Sequence, residues 1–446
     1  MKRSAWRYLW TSQDIRRKLL ITLAILAIYR FAAHVPVPGV NREAIAGILA
    51  GGGAGGTLVG LLDLLSGGTV SNFSVMAMGV YPYITAQIIL QLLVPIIPAL
   101  QKRMEEDPRE GRKWMEKWTY FLAVPMAALQ AIGQINIFTS FAGGVPIIDN
   151  FGFSGSSLLP SLTIVISMTA GTMFAIWLGE LISEFGIRNQ GLSLIIFSGI
   201  VSQIPNNLIG LMADQQNRWF LLAFVLVLLV LTIFAIVFVQ QGRRNVPVMY
   251  PGRRMGNRMS MPVKGTLPLM VNMAGMIPLI FAQSLLTLPA VVAQFFVNST
   301  NEAIARFAVG VQNTFGGISP AYWIMYFLMV VGFTFFYTDV LFAQQNYGEN
   351  LKKVGAQIPG VSRGAPTQKY LTKVLRRITL PGAVFLGVIA ILPWLVGLIL
   401  PIGQNSGLLL VSSAGLLIVV GVVRDTFFNI QAELKLHGYD DALLIR

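Results

Sequence analysis

Long apolar runs alternate with short polar stretches along almost the whole chain. Ten runs are long enough to cross a bilayer as helices, which takes about 20 residues each. They lie at residues 19–37, 75–98, 115–138, 161–181, 191–210, 219–240, 268–296, 320–342, 378–401 and 407–428. A backbone in lipid must satisfy its own hydrogen bonds, so each run is predicted to be a helix. The fifth run is the least regular, because Pro205, Asn206 and Asn207 interrupt it.

The charges orient these helices. Only 12% of the residues are charged and 54% are hydrophobic, whereas about a quarter are charged in a soluble protein. If the N-terminus is cytoplasmic, 29 of the 33 Lys and Arg residues fall on the cytoplasmic side, as the positive-inside rule requires. The pattern therefore predicts ten spans with both ends in the cytoplasm. The predicted parts are a basic N-terminal segment (1–18), two halves of five spans each (19–212 and 213–428) and a C-terminal tail (429–446).

The residues that several kinds of chemistry require are absent or scarce in this sequence. The chain has no cysteine and only two histidines, His34 and His437, so disulfides, thiol catalysis and Cys- or His-rich metal sites are not expected. We predict no metal site, no cofactor and no enzymatic activity. The spans also hold almost no ionisable residues, although proton and ion pumps need them at membrane depth. The chain therefore lacks the ionisable residues in its spans that an ion-coupled transporter usually needs.

The two halves of five spans each predict an inverted repeat. With an odd number of spans in the first half, the second half enters the membrane from the opposite side. Before the second span, a short apolar segment at 58–65 lies between the Gly-rich stretch 51–56 and Ser66-Gly67-Gly68. The segment is too short to cross a bilayer. It is either a re-entrant helix that lines a cavity, which we favour, or a helix packed on the outer surface.

Polar residues interrupt two of the spans. Thr85, Gln87 and Gln91 lie in the second span, and residues 87 and 91 share a helix face. Asn272, in the predicted seventh span, is expected to hydrogen-bond across to them. Such residues either hold helices together or form a seam that opens reversibly, and the two roles are compatible.

Two predicted cytoplasmic loops, at about 240–264 and 343–377, are long and rich in Lys and Arg. Orientation of the neighbouring spans explains part of this charge. The remainder favours docking of a large partner with an acidic surface or of ribosomal RNA.

Several stretches, in this order and spacing, resemble one known family. They are PVPGVN at 36–41, LLSGGTVSNFSVMAMGVYPYITAQIILQLL at 64–93, WLGELISEFGIRNQGLSLIIFSGIV at 177–201, RRNVPVMY at 243–250, VNMAGMIPLIFAQSLL at 271–286, FTFFYT at 333–338, ENLKKVGAQIPG at 349–360 and GLLIVVGVVRDT at 415–426. The chain resembles the SecY/Sec61-alpha family over nearly its whole length. The resemblance implies an all-α polytopic membrane protein, with ten transmembrane helices in two pseudo-symmetric inverted halves around a central pore.

The resemblance also implies a set of site residues. A plug at about 57–72 would comprise Leu58, Val59, Gly60, Leu61, Leu62, Asp63, Leu64, Leu65, Ser66, Gly67, Gly68, Thr69, Val70 and Ser71. A hydrophobic pore ring would comprise Ile84, Ile88, Leu192, Ile196, Ile280 and Ile418. A lateral gate between spans two and three and spans seven and eight would include Thr85, Gln87, Gln91 and Asn272. A surface for SecA or the ribosome would include Arg243, Arg244, Arg253, Arg254, Arg258, Lys352, Lys353, Arg363, Arg376 and Arg377.

The implied function is that of the central, pore-forming subunit of a protein-conducting channel in the bacterial inner membrane. Such a channel passes unfolded secretory proteins and releases transmembrane segments sideways into lipid. The implied partners are the small subunits SecE and SecG, the SecA motor ATPase, the ribosome, signal peptides and nascent chains, and membrane lipid. The alternatives are a secondary transporter built from inverted repeats and an insertase without a sealed pore.

The chain departs from the family pattern at three places. The segment GIRNQG at 186–191 is one residue longer than the usual GIGNG, which bears on the register of the helix that follows. Ser362 stands where an arginine is usual, and Arg363 follows it. In the predicted seventh span, Met270 stands where a lysine is usual, just before Val271-Asn272.

Overall fold

The computed structural model describes residues 12–41, 73–141, 147–148, 151–152, 155–188, 190–212, 218–251, 254–255, 258–259, 263–294, 296, 301–315, 319–399 and 413–436. Its helices are α1 (Gln13–Ala32), α2 (Tyr81–Ile96), α3 (Pro98–Glu106), α4 (Pro108–Phe141), α5 (Leu158–Phe185), α6 (Gly191–Met212), α7 (Arg218–Gln241), α8 (Ile277–Gln294), α9 (Glu302–Phe315), α10 (Pro320–Gln345), α11 (Tyr347–Lys353), α12 (Ala365–Ile399) and α13 (Ser413–Leu436). Its strands are β1 (Arg243–Tyr250), β2 (Arg254–Met255), β3 (Arg258–Met259) and β4 (Val263–Met270).

Each of the ten predicted spans overlaps one helix, in the order α1, α2, α4, α5, α6, α7, α8, α10, α12 and α13. Within the described residues, five helices are long and apolar enough to cross a membrane by themselves, or six if α2 and α3 form one broken span. Shorter apolar helices run over Gly191–Ser202 and Ile277–Ala290. The protein is therefore mostly helical, with several helices suited to a bilayer.

The chain changes direction sharply between α2 and α3. The two helix axes differ by 95°. Ile97 at the break has φ −99° and ψ 107°, which is extended backbone. Because Pro98 follows it, the helical conformation is disfavoured at Ile97, and the helix ends there.

The seventh span was predicted to begin at residue 268, and this boundary is wrong. Residues 263–270 form strand β4, which pairs antiparallel with β1 in a register that sets Arg243 opposite Met270 and Tyr250 opposite Val263. The helix begins only at Ile277. The apolar residues near 267–270 belong to a strand that packs one face inward, and Leu269 is buried there.

The two basic loops pack together into one unit, here called the loop cluster. Its core contains Val246 and Val248 of β1, Leu269 of β4, Ile358 of the connection between α10 and α12, and Leu371 of α12. A β-bridge joins Met249 to Gln357. The distance from Met249 N to the Gln357 carbonyl oxygen is 2.8 Å, and from Gln357 N to the Met249 carbonyl oxygen is 2.9 Å. The loops therefore present their charges on a folded platform.

Candidate pore and gate

Side chains from both halves of the chain meet in one apolar cluster, here called the central cluster. Ile196 of α6, Ile280 of α8 and Ile418 of α13 are buried in it, with at most 8% of each residue exposed. Ile84 of α2 and Leu192 of α6 are partly buried against it. Five of the six residues proposed for a pore ring thus share one apolar centre.

The sixth residue, Ile88, lies one helical turn beyond Ile84 in a neighbouring group, here called the seam cluster. There it packs with Ala274, Phe281 and Tyr337, and Ile84 contacts this group as well as the central cluster. The seam cluster therefore joins α2 of the first half to α8 and α10 of the second half.

Aromatic rings of the seam cluster hold α8 against α10. The ring centroid of Phe281 is 6.0 Å from that of Phe333 and 5.7 Å from that of Tyr337, and both pairs are edge-to-face. Such pairs are worth about 0.5–1.5 kcal/mol beyond the area that they bury. These rings form the second-half side of the seam cluster, and Ile88 of α2 packs against Phe281 and Tyr337 from the first half.

A close contact between α5 and α6 sets the position of two ring residues. The N–H of Gly191 donates to the Ser183 hydroxyl at 3.1 Å. A Cβ atom on Gly191 would lie only 1.7 Å from the Gly179 carbonyl oxygen, so only glycine allows this approach. Leu192 follows directly and Ile196 one turn later, so this contact places them at the central cluster despite the longer connection before α6.

Arg30, a charged residue inside the first predicted span, binds α6. Its Nη2 donates to the Ser198 carbonyl oxygen and to the Ser202 hydroxyl. At the other end of α1, Lys18 forms an ion pair with Glu433 of α13 at 2.6 Å. α1 is therefore tied by charged side chains to two helices that supply central-cluster residues.

The predicted gate glutamines and threonine have different surroundings. Thr85 is buried and donates to the Tyr81 carbonyl oxygen at 2.9 Å, while Gln130 of α4 donates to the Thr85 hydroxyl at 3.3 Å. The side chain of Gln91 lies beside that of Tyr337 of α10, and its Oε1 is buried without a hydrogen-bond partner. Gln87 is half-buried. Gln91 thus lies where the two halves meet, and the hydrogen bond from Gln130 to Thr85 links α4 to α2.

The expected hydrogen bond from Asn272 across to these glutamines is not formed. Asn272 is buried, and both ends of its amide bind Gly275: Nδ2 donates to the carbonyl oxygen at 3.1 Å, and Oδ1 accepts from the N–H at 2.9 Å. Gly275 has φ +66°, in the left-handed region. The side chain is used locally because it stabilises the turn between β4 and α8.

Other polar side chains in the apolar helices were not singled out from the sequence. Gln130 and Gln134 lie four residues apart on α4, and Gln283 and Ser284 lie on α8, with the last three of these buried. Like Gln87 and Gln91, they are polar residues within an apolar run. A search of every predicted span for such residues would have identified all four.

The residues predicted to bind partners lie mainly on the loop cluster and the start of α12. The side chains of Arg243, Arg244, Lys352, Lys353, Arg363, Arg376 and Arg377 are exposed. Arg254 and Arg258 lie in β2 and β3, and Arg253 lies outside the described residues. Arg376 forms an ion pair with Asp339, in which Nη2 and Nε donate to Oδ2 at 2.8 Å and 3.1 Å.

The predicted plug, residues 58–71, lies outside the described residues.

Comparison with known proteins identifies the family and the fold. A family model described as SecY matches residues 74–427. The protein translocase subunit SecY of Streptomyces scabiei is 36% identical over 445 residues, an alignment that covers 99% of each chain. A solved structure of a protein-conducting channel has a TM-score of 0.62 and 17% identity, covering 97% of this chain and 96% of that one. A second, reported for the role of the SecY plug domain in stabilising the closed channel and its membrane seal, has a TM-score of 0.60 and 18% identity, with the same coverage. The chain belongs to the SecY family.

Proposed function

We propose that this chain is the pore-forming subunit of a protein-conducting channel. It passes unfolded secretory proteins across the bacterial inner membrane and releases transmembrane segments sideways into lipid. The observation that carries this proposal is the central cluster, which gathers apolar side chains from α2, α6, α8 and α13 at one place between the two halves.

The chemistry of the cluster suits this task. The five proposed ring residues in it, Ile84, Leu192, Ile196, Ile280 and Ile418, all have aliphatic side chains. Apolar side chains exclude water and ions from a narrow passage and offer no fixed charge that would hold a passing polypeptide. The channel performs no covalent chemistry, so a motor protein or a translating ribosome must supply the energy.

The seam cluster is the proposed lateral gate. It holds α2 against α8 and α10 through Ile88, Phe281 and Tyr337. Apolar contacts can part and be replaced by contacts with an apolar signal peptide or with lipid at little cost, because both provide similar surroundings. Gln91 adds the polar contact to Tyr337.

The proposed topology has ten spans in two inverted halves, 19–212 and 213–428, with both termini in the cytoplasm. The loop cluster then faces the cytoplasm, and its exposed arginines and lysines form the docking surface for SecA or the ribosome. SecE and SecG are the proposed small membrane partners. Residues 57–72 are proposed as the plug that seals the resting channel, and deletion of 58–71 should raise its ion leak.

Crosslinking tests the pore. The chain has no native cysteine, so single cysteines can be placed at Ile84, Ile196, Ile280 or Ile418 without background. Each should crosslink to a secretory chain stalled during translocation. The matched control is a cysteine at Phe234, which is 71% exposed on the highly apolar helix α7. Equal crosslinking at Phe234, or none at the four ring positions, would contradict the proposal.

A further inference from the structure

Helix α9, between α8 and α10, has three distinct faces. Ala308 is buried against the protein, and Phe315 packs on the apolar group that includes Tyr322 and Trp323. Glu302 and Arg306 form an ion pair one turn apart on an exposed face. The helix is thus fixed on one side to the body of the protein and is polar on another.

The third face of α9 is apolar and exposed. Phe307 is 74% exposed and Ile304, three residues earlier on the same flank, is 43% exposed. Leaving a phenylalanine in water forfeits most of the free energy that its burial would provide. Something apolar is therefore expected to cover this flank.

The position of α9 indicates what covers its apolar flank. Its packing near Tyr322 holds its end beside the first turn of α10, which in the proposed topology lies at the outer surface of the membrane. It also packs along α8, whose Leu288, Val292 and neighbouring Phe296 form an exposed apolar stripe. The apolar flank of α9 thus continues from an apolar stripe that faces outward along a membrane helix.

We propose that α9 is an interfacial helix that inserts Phe307 and Ile304 into the outer leaflet of the bilayer. Its charged face remains in water, as in other amphipathic helices at membrane surfaces. Because α9 packs on α8, which contributes Ile280 to the pore, this contact anchors the outer end of a pore helix to lipid. The inference rests on the proposed membrane topology.

Spin labels can measure this insertion in the full-length chain. Single cysteines replace Phe307, Asn313 or Phe234, and the labelled protein is reconstituted with its co-purifying subunits into phosphatidylethanolamine–phosphatidylglycerol vesicles. Collisions with oxygen report lipid, and collisions with a water-soluble nickel chelate report water. Asn313 is the matched control because it lies on the exposed polar side of the same helix, and Phe234 on α7 is the reference for the bilayer core.

The label at Phe307 should collide several-fold more with oxygen relative to nickel chelate than the label at Asn313. Two results at Phe307 would overturn the inference while leaving the proposed function intact: a water signature, or protection from both reagents, which would show that protein covers the flank. A water signature at Phe234 would instead overturn the proposed topology, and the inference with it.

Discussion

Replacing Gly191 with alanine should open the resting pore. The added Cβ would lie 1.7 Å from the Gly179 carbonyl oxygen and 2.7 Å from the Ser183 hydroxyl oxygen, and the first of these is helix backbone that no rotamer change can remove. Since Cβ atoms essentially never approach closer than 3.0 Å, α6 must move away from α5 by roughly 1.3 Å or more.

The cost follows from the packing. Overpacking of this kind typically destabilises a protein by about 1–3 kcal/mol. The movement also carries Leu192 and Ile196 away from the central cluster, where they pack beside Ile280 and Ile418. A gap at that place removes apolar contacts from the proposed seal, so water and ions should leak through the channel without cargo.

The assay is ion conductance of the purified channel in planar bilayers, together with its thermal unfolding midpoint. Gly191→Ala should raise resting conductance and lower the midpoint. Gly332→Ala in α10 is the matched control, because a Cβ there meets nothing within 4 Å and alanine favours a helix over glycine by about 1 kcal/mol. The reasoning is refuted if the two variants conduct equally and unfold at the same temperature.

Three further predictions concern polar contacts between or beside the helices. Arg30→Met should raise resting conductance, because α6 loses both hydrogen bonds from α1. Arg30→Lys should raise it less, since lysine retains the charge without the planar guanidinium group. Resting conductance equal to that of the unchanged protein in both variants would contradict this. Asn272→Leu should destabilise the turn at Gly275 by about 1–3 kcal/mol and alter how hydrophobic a signal sequence must be, as measured by export of a graded reporter series; an unchanged threshold would argue against a role in the gate. A double-mutant cycle on Lys18 and Glu433 should give a coupling below about 1 kcal/mol in thermal unfolding that falls with salt, because both side chains are partly exposed; a large coupling that is insensitive to salt would be inconsistent with that exposure.

The hydrophobic runs predicted the helices because the bilayer demands long apolar segments with internally bonded backbone. Each of the ten runs overlaps a helix, even the fifth, in which Pro205 lies inside α6. The seventh run failed at its start, since an apolar strand and an apolar helix look alike over a few residues. Pairing of β4 with β1 is a contact between segments distant in sequence, and hydropathy does not contain it.

The resemblance named candidate pore-ring residues, and the structure places five of them in one cluster and Ile88 beside it. The roles of the polar residues did not follow from their positions. The sequence predicts a hydrogen bond from Asn272 to α2, whereas both ends of its amide bind the backbone of Gly275, three residues away in the turn before α8.

Sequence alone determined that the chain is a membrane protein, that each long apolar run contains a helix, and which loops carry the positive charge, because these depend on local composition and on the solvent around each segment. Only the tertiary structure decided that the two basic loops form one cluster, that Arg30 ties α1 to α6, and that Gly191 allows α5 and α6 to touch. These are contacts between different helices or loops, and their geometry depends on how several elements pack at once.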